Sequence, residues 1–192
     1  NTLSGIGSGA EDEYAMRLQN QLDSQYPQPQ HMIEFTYDLI KNNKLTFEKS
    51  NNDHRVVTFH DSCNVARGSN MGDIENGQFI LPREVIKAAC NNFIDMPKNT
   101  IKSSTFCCGG GAGLLTDDLI DLRIKGAKPR MHALRKSEQE SGVNTLAAIC
   151  AICKSQFSKV LPNYDFDPYM VVSVHQLVSD AIVLSESLKQ KD

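Results

Sequence analysis

The chain has 192 residues, 40% of them hydrophobic and 22% charged, with 20 Lys and Arg against 23 Asp and Glu for a formal charge of -3. This composition excludes a disordered chain and supplies a core for one domain, or one domain plus an arm. The near balance of charge excludes an advertised nucleic-acid or anionic-membrane surface. No apolar run approaches the roughly 18–20 residues that span a bilayer and the start carries no signal-peptide pattern, so no direct membrane insertion is expected.

In chain order, residues 3–9 (LSGIGSG) read as a loose segment. Tyr14, Leu18 and Leu22 recur every four residues and predict a helix over 11–22, ended by Pro27 and Pro29. A second helix is expected over 31–42, with Ile33, Leu39 and Ile40 apolar, then a polar loop over 49–54. Residues 1–54 read as an N-terminal helical arm and 55–192 as the main domain. VVTFH (56–60) predicts a strand. Pro82 suits a first helical position, and Val85, Ile86, Ala89, Cys90 and Phe93 follow as one stripe. The weak alternation over 100–106 predicts a second strand. Thr116 with Asp117 and Asp118 marks a helix start and Gly126 its stop; Pro129 opens a further helix that ends near Gly142. Strands over 145–149 and 170–174 are each followed by a helix, over 151–161 and 176–188. The alternation predicts an α/β fold: about four mainly parallel strands, helices on both faces, and cysteine loops at the carboxyl ends of the strands.

The six cysteines are Cys63, Cys90, Cys107, Cys108, Cys150 and Cys153. They are too sparse for a disulfide-stapled secreted scaffold, which points to a reducing, cytoplasmic setting with thiols kept for metal or redox chemistry. Cys63 follows the first expected strand, Cys107 and Cys108 the second, Cys150 and Cys153 the third, and His175 the fourth. Parallel strands share one carboxyl edge, where open α/β sheets bind ligands, so five thiols are expected to converge there. Cys90 lies on an apolar stripe and reads as a small core residue. Five thiols are one too many for a tetrahedral zinc, and neighbouring thiolates suit an iron–sulfur cluster better. Gly109, Gly110 and Gly111 follow the vicinal pair as a turn whose N–H groups can donate to sulfur. A phosphate loop is the rival there, although the GK[ST] ending is missing. CAIC at a helix start favours a thiolate at Cys150.

HDSCNVAR (60–67), PREVIKAACNNFIDMP (82–97), TFCCGGGAGL (105–114) and AAICAICKSQF (147–157) together resemble the cysteine-rich CCG domain of heterodisulfide reductase catalytic subunits and their relatives. The pattern is Cys, a spacer, Cys-Cys-Gly, a second spacer and Cys-x-x-Cys, with spacers here of 43 and 41 residues. TFCCGGGAGL, AAICAICK and SVHQLV look most like the K subunit of the dissimilatory sulfite-reductase-associated membrane complex. The resemblance implies a non-cubane [4Fe-4S] cluster held by Cys63, Cys107, Cys108, Cys150 and Cys153. It also implies reduction of a disulfide or trisulfide, with a small sulfur-carrier protein among the substrates and other subunits of a membrane-associated electron-transfer complex as partners. The family's upstream CxxCxxCxxxCP motifs are missing, and the chain starts at Asn1, so it reads as an excerpt of a longer polypeptide. His60, three residues before Cys63, is a candidate acid for a leaving thiolate. Asp61 reads as a turn cap, Arg67 and Lys154 as flanking cations, His175 as structural, and Met71 with Gly72 as the mouth of the site. Three rivals stand beside this reading: a zinc-stabilised assembly module, a CxxC thiol exchanger, and the iron–sulfur subunit of a glycolate or lactate oxidase.

Overall fold

The computed structural model describes residues 30–72, 74–113 and 116–184. The expected helix over 11–22 and the end of the closing helix lie outside these residues. Three strands form one parallel sheet in the order β1 (Val57–His60), β2 (Thr145–Ala148) and β3 (Val171–Ser173). Val57 faces Thr145, His60 faces Ala148, and Leu146 faces Val171. Six α-helices occupy the described residues: α1 (Met32–Lys41), α2 (Cys63–Gly68), α3 (Gly77–Ala89), α4 (Ile120–Ser141), α5 (Ala151–Val160) and α6 (Val174–Ala181).

Neighbouring residues on a strand point to opposite faces. Leu146 accordingly joins a core with Met131 and Leu134 of α4 and Phe157 and Val160 of α5. Ala147 joins another with Ile33 of α1, Val85 and Ile86 of α3, and Leu177 of α6. Val57 and Phe59 share that second core, which leaves Thr58 and His60 for the side of α4 and α5. All residues of β1 and β2 are buried, as strands covered on both faces must be.

The strand expected over 100–106 does not form. Lys102 is left-handed at φ 56° and opens the second of two short 3-10 turns, Lys98–Thr100 and Lys102–Ser104. Side chains claim the backbone groups a neighbouring strand would need. Asp61 accepts the Lys102 N–H, Arg67 donates to the Ser103 and Thr105 carbonyls, and Arg130 donates to the Thr100 carbonyl.

Neither proline opens a helix. α3 begins at Gly77, where a Cβ would lie 1.8 Å from the Met71 carbonyl oxygen, so only glycine fits. The two helices expected around Gly126 and Pro129 are one, α4. Pro129 and Lys125 are exposed, so water can serve the carbonyl that Pro129 leaves unpaired, while Ala127, Arg130, Met131 and Leu134 hold the buried face together. α6 stops at Ala181 because the chain then pairs with residues 46 and 47: Phe47 bridges Ile182, and the Val183 N–H donates to the Thr46 carbonyl.

Residues 30–54 pack on this body. His31 caps α1 through Nδ1 to the Ile33 N–H at 3.1 Å, and Glu34 returns a bond to the His31 N–H. Thr36 meets His175 at 3.1 Å, a structural partnership for that histidine. No helix among the described residues is long and apolar enough to cross a membrane.

Candidate metal centre

Two neighbouring parallel strands deliver the outer cysteines. β1 ends at His60, and Cys63 opens α2 three residues on. β2 ends at Ala148, Cys150 is the N-cap of α5, and Cys153 sits in its first turn. Cys107 and Cys108 arrive from irregular chain after the turn at Lys102–Ser104. The five thiols form one unbroken row of interacting neighbours, Cys63 to Cys107 to Cys108 to Cys153 to Cys150. Cys108 and Cys153 are buried, whereas Cys63, Cys107 and Cys150 are half-buried, so the row has a closed floor and an open rim. Cys90 is at the end of α3, buried in the opposite core beside Phe59 and Val85.

The row polarises its own members. Bonds from Cys108 and Cys63 hold the Cys107 thiol far below the usual range, with help from the Gly111 and Gly109 N–H groups. The bond from Cys153 lowers Cys150 to about 5, and Ser62 and the N–H groups of Cys153 and Ile152 add to it. The lowering at Cys150 runs in the direction expected from its helix start, but its largest cause is Cys153. Bonding to Cys107 pushes Cys63 up and Cys108 up to about 11, while bonding to Cys108 and Cys150 raises Cys153.

The Gly109 N–H donates to Cys107 Sγ at 3.3 Å, and Gly110 donates to Cys108. Gly109 has φ 92°, and a Cβ there would stand 2.3 Å from the Arg123 carbonyl oxygen. The turn can thus reach the sulfurs only with glycine at this position.

His60 is fully buried, its ring edge-on to Phe157 at 4.8 Å. One ring nitrogen lies with Cys108 Sγ and Cys153 Sγ in a group whose members are within 4.8 Å of one another. Burial, then the nearby Arg130 charge, holds its pKa well below the ordinary value. Asp61 is no simple turn cap. Both its oxygens receive Arg83 at 2.8 Å, and Oδ2 also takes the Lys102 N–H. Arg67, although exposed, donates to the Ser103 and Thr105 carbonyls. Met71 is not at the mouth of the site: it is 2% exposed in the core around Ile33. The Gly72 N–H is bound to Glu34. Lys154 lines a cleft of about 430 Å³ with Tyr169 and Pro168, and no cysteine lines that cleft. Arg83, Arg130 and Gln156 were not foreseen from the sequence. The one available signal was Arg130 on the apolar face of Ala127, Met131 and Leu134, where a charge needs a reason.

The family described as "CCG: Cysteine-rich domain" matches residues 57–158. An Hdr-like menaquinol oxidoreductase iron-sulfur subunit 2 from Archaeoglobus fulgidus is 44% identical over 155 residues, 81% of this chain and 26% of that protein. The Hdr-like menaquinol oxidoreductase iron-sulfur subunit of Archaeoglobus profundus is 42% identical over the same shares. A subunit of the dihydromethanophenazine:CoB--CoM heterodisulfide reductase of Methanosarcina mazei is 30% identical, over 80% of this chain and 34% of its own. The chain thus spans about a quarter to a third of these relatives. No solved structure matches it.

Proposed function

The chain belongs to the CCG cysteine-rich domain family, and from that premise we propose that it is the cluster-bearing redox domain of a larger heterodisulfide-reductase-like subunit. The reaction is reduction of a disulfide or trisulfide, on a small thiol or a sulfur-carrier protein, in anaerobic sulfur or energy metabolism. Its partners are the other subunits of a membrane-associated electron-transfer complex, which would hold it at the cytoplasmic side of the membrane. The Hdr-like and heterodisulfide reductase names of its relatives support this reading.

The observation that carries the proposal is the unbroken row of five thiols. The donor set suits a cluster: all ligands are soft sulfur, there is one more than a tetrahedral ion takes, and backbone N–H groups aim at the sulfurs. Cys63, Cys107, Cys108, Cys150 and Cys153 would hold a non-cubane [4Fe-4S] cluster, with Gly109, Gly110 and Gly111 donating to its sulfur shell. When bound, such a cluster supplies one-electron transfer and a thiophilic iron for the substrate sulfur. Cys63, Cys107 and Cys150 form the half-buried rim through which a substrate sulfur would approach. The neutral His60 would hold a proton beside the sulfurs of Cys108 and Cys153.

The test is anaerobic reconstitution with ferrous iron and sulfide. The chain is expected to take up about four irons with matching acid-labile sulfide. Cys108→Ser loses most of that uptake, and Cys90→Ser keeps it because Cys90 sits in the other core. A Cys108→Ser protein that loads like the parent sinks the proposal. The convergence of His60, Cys108 and Cys153 favours a zinc-stabilised module as second reading. About one zinc per chain without acid-labile sulfide would establish it.

A further inference from the structure

Arg130 is the largest fully buried side chain among the described residues. Its guanidinium donates to the Thr100 carbonyl at 2.5 Å, Thr105 Oγ1 at 2.8 Å and Met96 Sδ at 2.7 Å. It also lies over the Phe106 ring at 5.8 Å. None of these partners is charged. Among the described residues no carboxylate forms an ion pair with it. Asp61 acts on it at longer range, but both Asp61 oxygens are engaged by Arg83 and the Lys102 N–H. A buried cation without a counter-charge costs several kcal/mol and is not kept without compensation.

The sulfurs of Cys108, Cys153 and Cys107 also act on Arg130, whose guanidinium lies over the ring of Phe106, the residue before Cys107. A second observation points to the same place. Every buried side-chain nitrogen without a partner among the described residues belongs to three side chains: His60 Nδ1 and Nε2, Arg130 Nε and Gln156 Nε2. His60 is beside Cys108 and Cys153, and Gln156 Nε2 is 3.1 Å from the Cβ position of Gly109, next to Cys108. Cationic and neutral N–H donors are thus collected, unmatched by acceptors, around the floor of the thiol row.

We propose that Arg130 is the fixed counter-charge of this site, placed to balance the negative charge of the thiolates and of the anionic iron–sulfur group they hold. The inference rests on the cluster reading above. Arg130 touches neither substrate nor electrons; it is a positioning charge. A fixed cation stabilises whichever redox state carries more negative charge, so it favours the reduced form and raises the reduction potential.

The experiment compares Arg130→Gln, Arg130→Met and Arg130→Lys with the parent chain, each loaded anaerobically with ferrous iron and sulfide and titrated by EPR-monitored reduction. Both neutral variants are expected to lose about tenfold in the reduction equilibrium, a shift of about 59 mV to more negative potential for one electron. Arg130→Lys keeps the charge and stays near the parent. Thermal melting of unloaded and loaded protein gives a second readout: loading stabilises the neutral variants less than the parent or Arg130→Lys. Equal potentials in the parent and a neutral variant overturn the inference. So does failure of both neutral variants to fold before loading, because the charge is then needed by the bare fold. If the parent takes up no iron and sulfide, the cluster reading has failed, and the two failures are told apart.

Discussion

Asp61 shows how one buried carboxylate ties three pieces of chain to the first cysteine. It stands two residues before Cys63, 2% exposed, and binds Arg83 of α3 through both oxygens. Its Oδ2 takes the Lys102 N–H and its backbone carbonyl takes the Thr105 hydroxyl, so the segment leading into Cys107 is fastened to the segment leading into Cys63. Arg83 also meets Asp95 at 2.9 Å. Removing Asp61 leaves buried Arg83 with only the partly exposed Asp95 and leaves the Lys102 N–H without its acceptor. Asp61→Ala is expected to lower unfolding free energy by about 3–5 kcal/mol. The urea midpoint would read this, and a midpoint within error of the parent would refute it. The thiols were legible because CC and CxxC are local patterns and because Cys63 and Cys150 each follow an apolar run that forms a strand. Asp61, Arg83 and Arg130 were not, because their meaning lies in partners 12 to 44 residues away that no periodicity brings together.

At the scale of elements, apolar runs fixed all three strands of the sheet, because a strand buried on both faces is written in consecutive residues. What misled was the chain between α3 and α4. Its alternation is weak, and side chains from elsewhere occupy its backbone. Gly and Pro also misled as punctuation in α4, where a 22-residue helix runs through Gly126 and Pro129. Buried contacts every three or four residues outweigh one missing backbone bond on the wet side. Gly126 therefore costs the helix stability for no gain in fit. It is exposed, and a Cβ there would meet its nearest neighbour, Gly109 Cα, at an ordinary 3.9 Å. Gly126→Ala should raise stability by about 0.5–1 kcal/mol, seen as a higher melting temperature. A lower one would mean that the approach of Gly109 to α4 is tighter than a methyl allows.

Three of the five histidines, His31, His60 and His175, sit where burial disfavours charge. His60 lies under the sheet end, its pKa held well below 6.5 by burial and then by Arg130. His31 and His175 lie where α1 meets α6, and burial lowers both, against a smaller upward pull from Glu34 on His31 and from the Met32 backbone on His175. In the unfolded chain all three titrate near 6.5. Below that pH the unfolded state therefore binds protons that the fold refuses, and stability must fall with pH. Above about pH 6.5 neither state binds them, and the three histidines leave stability flat. Paired carboxylates add their loss only in more acidic solution: Asp180, kept low by Arg55 against the opposing effect of its own burial, starts from 3.8. The unloaded protein should thus show a progressively lower urea midpoint from about pH 6.5 to pH 5. His175→Asn should flatten that slope without removing it, because His60 and His31 remain. A midpoint that holds steady from pH 7 to pH 5 would show that the folded protein accepts these protons, and that the sheet end around His60 opens to water.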